Sequence, residues 1–192
     1  MRSFLALALG GGLLAGAAQA QDLPQGDPAA GEALMPQCRT CHGATGIANL
    51  IASPNIAGEP ADYLAAQMIH FREGVRQNEM MTIVMASMTD QQIADLAAWY
   101  ASHVPTVTNS AAPEDAPQLC TSCHGADGLS VMEGVPHLAG DPEMYLTAQL
   151  EAYRDGSRQN EIMTGLAEGL TDDEIKDAAR WYSAIRMEVA TP

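Results

Sequence analysis

Two nine-residue stretches, "CRTCHGATG" from Cys38 and "CTSCHGADG" from Cys120, contain all four cysteines of this 192-residue chain. Each is CxxCH followed by glycine, and each opens a longer self-match. The offset of 82 residues that carries Cys38 onto Cys120 holds without insertion or deletion through Tyr100 and Tyr182. Along it Pro54 meets Pro136, Gly58 meets Gly140, Tyr63-Leu64 meets Tyr145-Leu146, and "RQNEMMT" from Arg76 meets "RQNEIMT" from Arg158. Close to half of the aligned positions are identical. A solenoid stacks three or more shorter units, so two long ones mean a duplicated domain.

The local signals inside each unit are helical. Thr89 with Gln92, and Thr171 with Glu174, have capping-box spacing. Behind them Ile93, Leu96, Ala97 and Tyr100, and Ile175, Ala178, Ala179 and Tyr182, form the i, i+3, i+4, i+7 stripe of a helix buried on one face. A middle helix opens at Glu59-Pro60 or Asp141-Pro142 and stops at Gly74 or Gly156; an earlier one opens at Asp27-Pro28 and runs into Cys38. No alternating strand pattern of useful length interrupts them, so the expected fold is all-α, twice over. "HVPTVTNSAAPEDAP", poor in periodic apolar residues, reads as the connection.

The compartment decides what the thiols mean. "MRSFLALALGGGLLAGAAQA" has one positive residue, an apolar run and small residues closing on Ala18-Gln19-Ala20, the pattern of a secretory signal cleaved after Ala20. Its apolar stretch is short for a membrane span of about 20 residues and is broken by three consecutive glycines. The expected organisation is therefore a signal at 1–20, a first domain at 21–104, a linker at 105–115 and a second domain at 116–192, exported and soluble.

In an oxidising compartment four cysteines can form two disulfides, a zinc site or redox pairs. None of these requires histidine directly after the second cysteine in both copies. Covalent haem attachment does: the thiols of Cys38 and Cys41, or Cys120 and Cys123, add to the two vinyl groups, and His42 or His124 is held beneath the iron as its proximal ligand. Two haems also replace the ring side chains missing from a chain with 5% aromatic residues.

The repeat also selects a second axial ligand. Several methionines follow each histidine, but under the offset only Met81 and Met163 coincide; Met80 faces Ile162, Met85 faces Ala167 and Met88 faces Leu170. Met80, Met85 and Met88 read as core filling. His70, His103 and His137 have no histidine opposite them and read as solvated surface residues.

With 24 acidic residues against 9 basic ones, and Lys176 the only lysine, the chain repels phosphate backbones and anionic headgroups. Nucleic acid is excluded as a partner, and membrane association is peripheral at most. A basic docking surface on a redox protein is the complement.

These residues resemble the class I c-type cytochromes, and among them the tandem diheme cytochromes of the cytochrome c4 type. The resemblance rests on CxxCHG at Cys38 and Cys120, "PNIAG" and "PHLAG" 12 residues after each histidine, the "GVRQNEMM" and "GSRQNEIM" segments and the closing helices. It covers nearly the whole chain after the signal. It implies two tandem class I cytochrome c domains about a pseudo-twofold axis, and a periplasmic one-electron carrier with two haem c groups, each ligated by histidine and methionine. It implies that the carbonyls of Pro54 and Pro136 accept a hydrogen bond from the ligand histidines, and that Arg76 and Arg158 meet haem propionates. The implied partners are a terminal oxidase, a cytochrome complex or a dehydrogenase. The alternative role is the diheme subunit of a periplasmic dehydrogenase, oxidising sulfide or an alcohol for instance. An enzyme would need an iron with an open position, which a matched methionine pair argues against. Pro117 and the short approach to Cys120 leave less room than precedes Cys38, which raises the question of equal shelter for the two sites.

Overall fold

The computed structural model describes residues 23–109 and 115–190; the expected signal and its cleavage point at Ala20 lie outside them. In the first half, Asp27 caps α1 (Pro28–Leu34) by accepting the Ala29 N–H, and proline starts the helix where its amide has no partner anyway. A 3-10 turn (Met35–Gln37) and α2 (Arg39–His42) carry the first CxxCH. Three helices follow: α3 (Ala61–Glu73), α4 (Glu79–Met85) and α5 (Asp90–Ala101). The second half repeats the order with α6 (Gln118–His124), α7 (Glu143–Asp155), α8 (Glu161–Ala167) and α9 (Asp172–Ser183). Reciprocal capping boxes at Thr89/Gln92 and Thr171/Glu174 start α5 and α9.

Each half has its own core. Leu64, Phe71, Met85, Ile93, Leu96 and Tyr100 pack between α3, α4 and α5 in the first. The second is smaller, built on Ala139, Leu146, Ala179, Tyr182 and Ile185. Among the described residues the second half shows no counterpart of α1, and α6 begins directly after Pro117. In the first, α1 lies close on α5 because Gly31 has no side chain: a Cβ there would collide with the Asp95 carbonyl oxygen and the Trp99 Cβ. The buried Asp95 carboxylate accepts the Asp27 N–H and the Gln91 amide, each at 2.8 Å, tying the start of α1 to α5.

The segment expected to be an unstructured connection holds a strand. β1 (Val104–Asn109) pairs antiparallel with β2 (Arg186–Ala190), Val104 opposite Ala190 and Val107 opposite Met187. Val107 and Met187 face the second core and their neighbours face water, the period-2 alternation of a half-buried strand. The alternation is too short, and too interrupted by Pro105, to register in the sequence alone. The pairing lays the chain leaving the first half along the end of the second.

The halves meet through buried polar contacts. The Asn55 N–H donates to Asp141 Oδ1 at 2.7 Å, and the His137 N–H donates to Glu59 Oε2 at 2.9 Å. Since the repeat offset carries Asn55 onto His137 and Glu59 onto Asp141, this is one contact applied twice about a pseudo-twofold axis. The Asn55 side-chain amide also donates to the Ala139 carbonyl at 3.1 Å. Burial pushes both carboxyl groups well above their ordinary values of 4.5 for Glu59 and 3.8 for Asp141, and the charge of Asp141 pushes Glu59 further.

Two predictions follow from this packing. Gly31→Ala should push α1 off α5 and destabilise the haem-loaded protein by about 1–3 kcal/mol in denaturant unfolding, the usual cost of an overpacked site. Glu59 and Asp141 hold protons more tightly folded than unfolded, so the stability they contribute is complete below about pH 4 and is lost as pH rises through their raised values. The difference in unfolding free energy between the wild type and a Glu59→Gln, Asp141→Asn variant should therefore shift against the wild type from about pH 4 upward. A shift in its favour would mean that the two groups ionise more readily in the fold than in the open chain.

Candidate functional site

Each CxxCH helix ends on a glycine whose backbone no other residue adopts easily. Gly43 and Gly125 both have φ 77°, and a Cβ on either would strike a carbonyl oxygen, of Ile47 or Leu129. The chain there turns back over the histidine. Its return brings the Pro54 carbonyl to 2.9 Å from His42 Nδ1 and the Pro136 carbonyl to 2.8 Å from His124 Nδ1. A carbonyl only accepts, so Nδ1 carries the proton in both rings and Nε2 keeps its lone pair, the form that ligates a metal. Burial holds both imidazoles below their ordinary 6.5, and the carbonyl bonds pull the other way. Both rings are buried and neutral near pH 7.

None of the four cysteines is paired in a disulfide. Desolvation raises the pKa of Cys38 and Cys120. Among the described residues no three His, Cys, Asp or Glu side chains converge as a metal cage.

The methionines differ sharply in setting. Asn78 caps α4 by accepting the N–H groups of Met80 and Met81, at 3.1 and 3.0 Å; Asn160 does the same on α8 for Ile162 and Met163 at the same distances. These caps fix the first turn from which Met81 and Met163 project, both half-buried, with Met81 against the first core. Met80, expected as core filling, is instead 61% exposed, and its counterpart Ile162 is 66% exposed. Met85 and Met88 are buried core residues.

Arg76 and Arg158 are buried where the two halves meet. Arg76 donates to Gln67 at 2.7 Å in its own half, and to Gln149 at 2.6 Å and Tyr145 at 3.2 Å in the other. Arg158 mirrors this with Gln149 at 2.8 Å, Gln67 at 2.9 Å and Tyr63 at 3.2 Å. Each guanidinium lies over a ring, Arg76 over Phe71 at 4.6 Å and Arg158 over Tyr153 at 4.5 Å. Beside them is a cavity of about 270 Å³ lined by both arginines, Gln77, Gln149, Ala152 and Ser157. Among the described residues neither arginine pairs with a carboxylate. Two buried cations beside one cavity call for anions, and the carboxylates of a haem fit that donor set. The buried Trp99 indole N–H, also without a partner, lies against the same core as Cys38 and Met81.

Two histidines are not the surface residues expected of them. His103 is 2% exposed: it follows the last turn of α5 and its Nδ1 bonds the Trp99 carbonyl at 3.0 Å, satisfying a helix-end acceptor. His137 bridges the halves, accepting the Ser130 N–H on Nδ1 at 2.8 Å and donating from Nε2 to the Gly58 carbonyl at 3.1 Å. His70 is half-buried on α3. Gln67, Gln149 and Asn55 carry no role in the sequence analysis, and Glu59 and Asp141 enter it only as helix openings. The glutamines coincide under the offset, as do Glu59 and Asp141 in kind, and that coincidence was the available signal.

Residues 28–103 and 116–182 each match the family model described as cytochrome c. A thiosulfate dehydrogenase electron acceptor from Thiomonas intermedia is 32% identical over 82% of this chain and 83% of its own length. Cytochrome c4 from Pseudomonas aeruginosa is 34% identical over 78% of this chain and 84% of its own. The crystal structure of reduced recombinant cytochrome c4 from Pseudomonas stutzeri superposes with a TM-score of 0.74 at 27% identity, covering 84% of this chain and 100% of that one. The chain belongs to the cytochrome c family, as a tandem of two domains that binds two haem c groups covalently through Cys38/Cys41 and Cys120/Cys123 and serves in electron transfer.

Proposed function

We propose that this protein is a periplasmic one-electron carrier in which His42 and Met81 ligate one iron and His124 and Met163 the other. The single observation that supports this most strongly is the matched pair of half-buried methionines on capped helix starts, each in a domain whose histidine has a free, neutral Nε2. The haem, when bound, supplies one-electron exchange between ferrous and ferric iron. The protein's part is to hold the two axial ligands, to exclude water with the small cores, and to neutralise the haem carboxylates with Arg76 and Arg158. A methionine thioether as the second ligand would favour the ferrous form. Export rests on the signal read at 1–20, and among the described residues no helix is long and apolar enough to cross a membrane.

The ligand assignment is tested by substitution. Met81→Ala and Met163→Ala should each remove about half of the weak long-wavelength sulfur-to-iron absorption of the ferric protein and open that iron to carbon monoxide. Met80→Ala, altering an exposed side chain, should do neither. Equal behaviour of Met80→Ala and Met81→Ala would overturn the assignment.

The formal net charge of −15 carries the partner reading. A transient carrier docks through a small interface whose association rate depends on charge more than on buried area. A basic surface on the partner is the complement, and a second reading gives that partner an identity by class. Similarity to a protein named as a thiosulfate dehydrogenase electron acceptor favours service to a periplasmic dehydrogenase, as carrier or as fixed subunit. In stopped-flow measurements, electron exchange with a basic partner should slow as salt rises, since ions screen exposed charges beyond about 8–10 Å. A rate that rises with salt would mean an acidic partner.

A further inference from the structure

The peptide group joining Pro54 to Asn55 is hydrogen-bonded on both edges. Its carbonyl meets His42 Nδ1 at 2.9 Å, and its N–H, that of Asn55, donates to Asp141 Oδ1 at 2.7 Å. The peptide joining Pro136 to His137 repeats the arrangement, with His124 Nδ1 at 2.8 Å on one edge and Glu59 Oε2 at 2.9 Å on the other. In both cases the carboxylate belongs to the opposite domain. Each buried acid is thus connected to a histidine it does not touch, through one rigid, polarisable unit.

Hydrogen bonds in series strengthen one another. A carboxylate accepting a peptide N–H draws the peptide's electron density toward its carbonyl oxygen, which then accepts more strongly from Nδ1–H. A stronger bond at Nδ1 makes Nε2 more basic. A more basic ligand donates more charge to iron and favours ferric over ferrous. We propose that Asp141 tunes the redox equilibrium of the haem held by His42, and Glu59 that of the haem held by His124, each acting across the domain interface through a single peptide.

This rests on histidine ligation as read above, and it makes both acids positioning residues for electron transfer, not ligands. The groups facing them bear it out chemically. Glu59 is faced by Asp141, by the His137 backbone and by Tyr63; Asp141 is faced by Asn55. His137 itself cannot protonate Glu59, because its Nδ1 accepts from Ser130 and its Nε2 proton is committed to Gly58. Burial favours the neutral acid, whereas donation from the two peptides favours the carboxylate, and only the charged form polarises strongly.

The test is a redox titration of the two-haem protein above the pH at which both acids have ionised, with each haem followed by its own methyl resonances. Asp141→Asn keeps an acceptor oxygen and removes the charge. It should raise the midpoint of the His42 haem by about a tenfold change in the redox equilibrium, 59 mV for one electron, and move the His124 haem less. Glu59→Gln should do the reverse, and Asp141→Glu should leave both near wild type. The Nδ1 proton resonance of the affected histidine, in the ferrous protein, should move upfield as its bond weakens. An intact sulfur-to-iron band in every variant separates this result from a failure of the ligand assignment. Equal shifts at both haems would reduce the effect to bare charge, and a larger shift in the acid's own domain, or none in either, would overturn the crossed assignment.

Discussion

The bond from a histidine Nδ1 to a proline carbonyl 12 residues later is the interaction on which each half of the molecule is built. It needs a reversal immediately after the CxxCH helix, and Gly43 and Gly125 supply it with a backbone that a side chain would block. It fixes the protonation of the ring, so that the nitrogen facing away from the carbonyl is the one with a lone pair. It also fixes the residue after the proline, and that residue is where the other half docks. Histidine orientation and domain packing thus depend on the same few backbone atoms.

Duplication explains why the interface is polar and still stable. A patch that meets its own copy about a twofold axis must be self-complementary. The chain meets that requirement by pairing an N–H at one position with a carboxylate four residues further on in the copy, so that each half gives and accepts once. The arginine cluster follows the same rule, Gln67 and Gln149 each accepting from both guanidiniums. Buried polar groups destabilise an interface when unpaired and specify its register when paired. Here the pairing is reciprocal, and it fixes one relative orientation.

Much of this was legible before any coordinates. The thiols, the histidines that follow them and the two-unit organisation follow from strict spacing, which local chemistry enforces. Helix starts at Thr89 and Thr171 follow from capping patterns that act within four residues. The strand Val104–Asn109 did not, because its pairing with Arg186–Ala190 depends on a segment some 80 residues away and its alternation spans too few positions. His137 and His103 were misread for a related reason. A histidine is judged solvated or buried by what packs on it, and what packs on His137 is the other domain.

The halves also differ where the repeat fails, and the difference has a physical consequence. Among the described residues only the first carries α1, held on α5 through Gly31 and the Asp95 carboxylate. The first core holds Met85 where the second has Ala167, while Phe71 is matched by Tyr153 and Ile93 by Ile175, and the second core also takes in the strand side chains of Val107 and Met187. Trp99 and Trp181, equivalent in sequence, diverge in the same sense: the second donates its indole N–H to the Ala126 carbonyl at 3.3 Å, and the first remains buried without a partner. A site with more cover on one side has a lower effective dielectric, and a lower dielectric penalises the form of the iron centre with the larger net charge. The two halves, alike in sequence, thereby give their haem-binding motifs unequal surroundings.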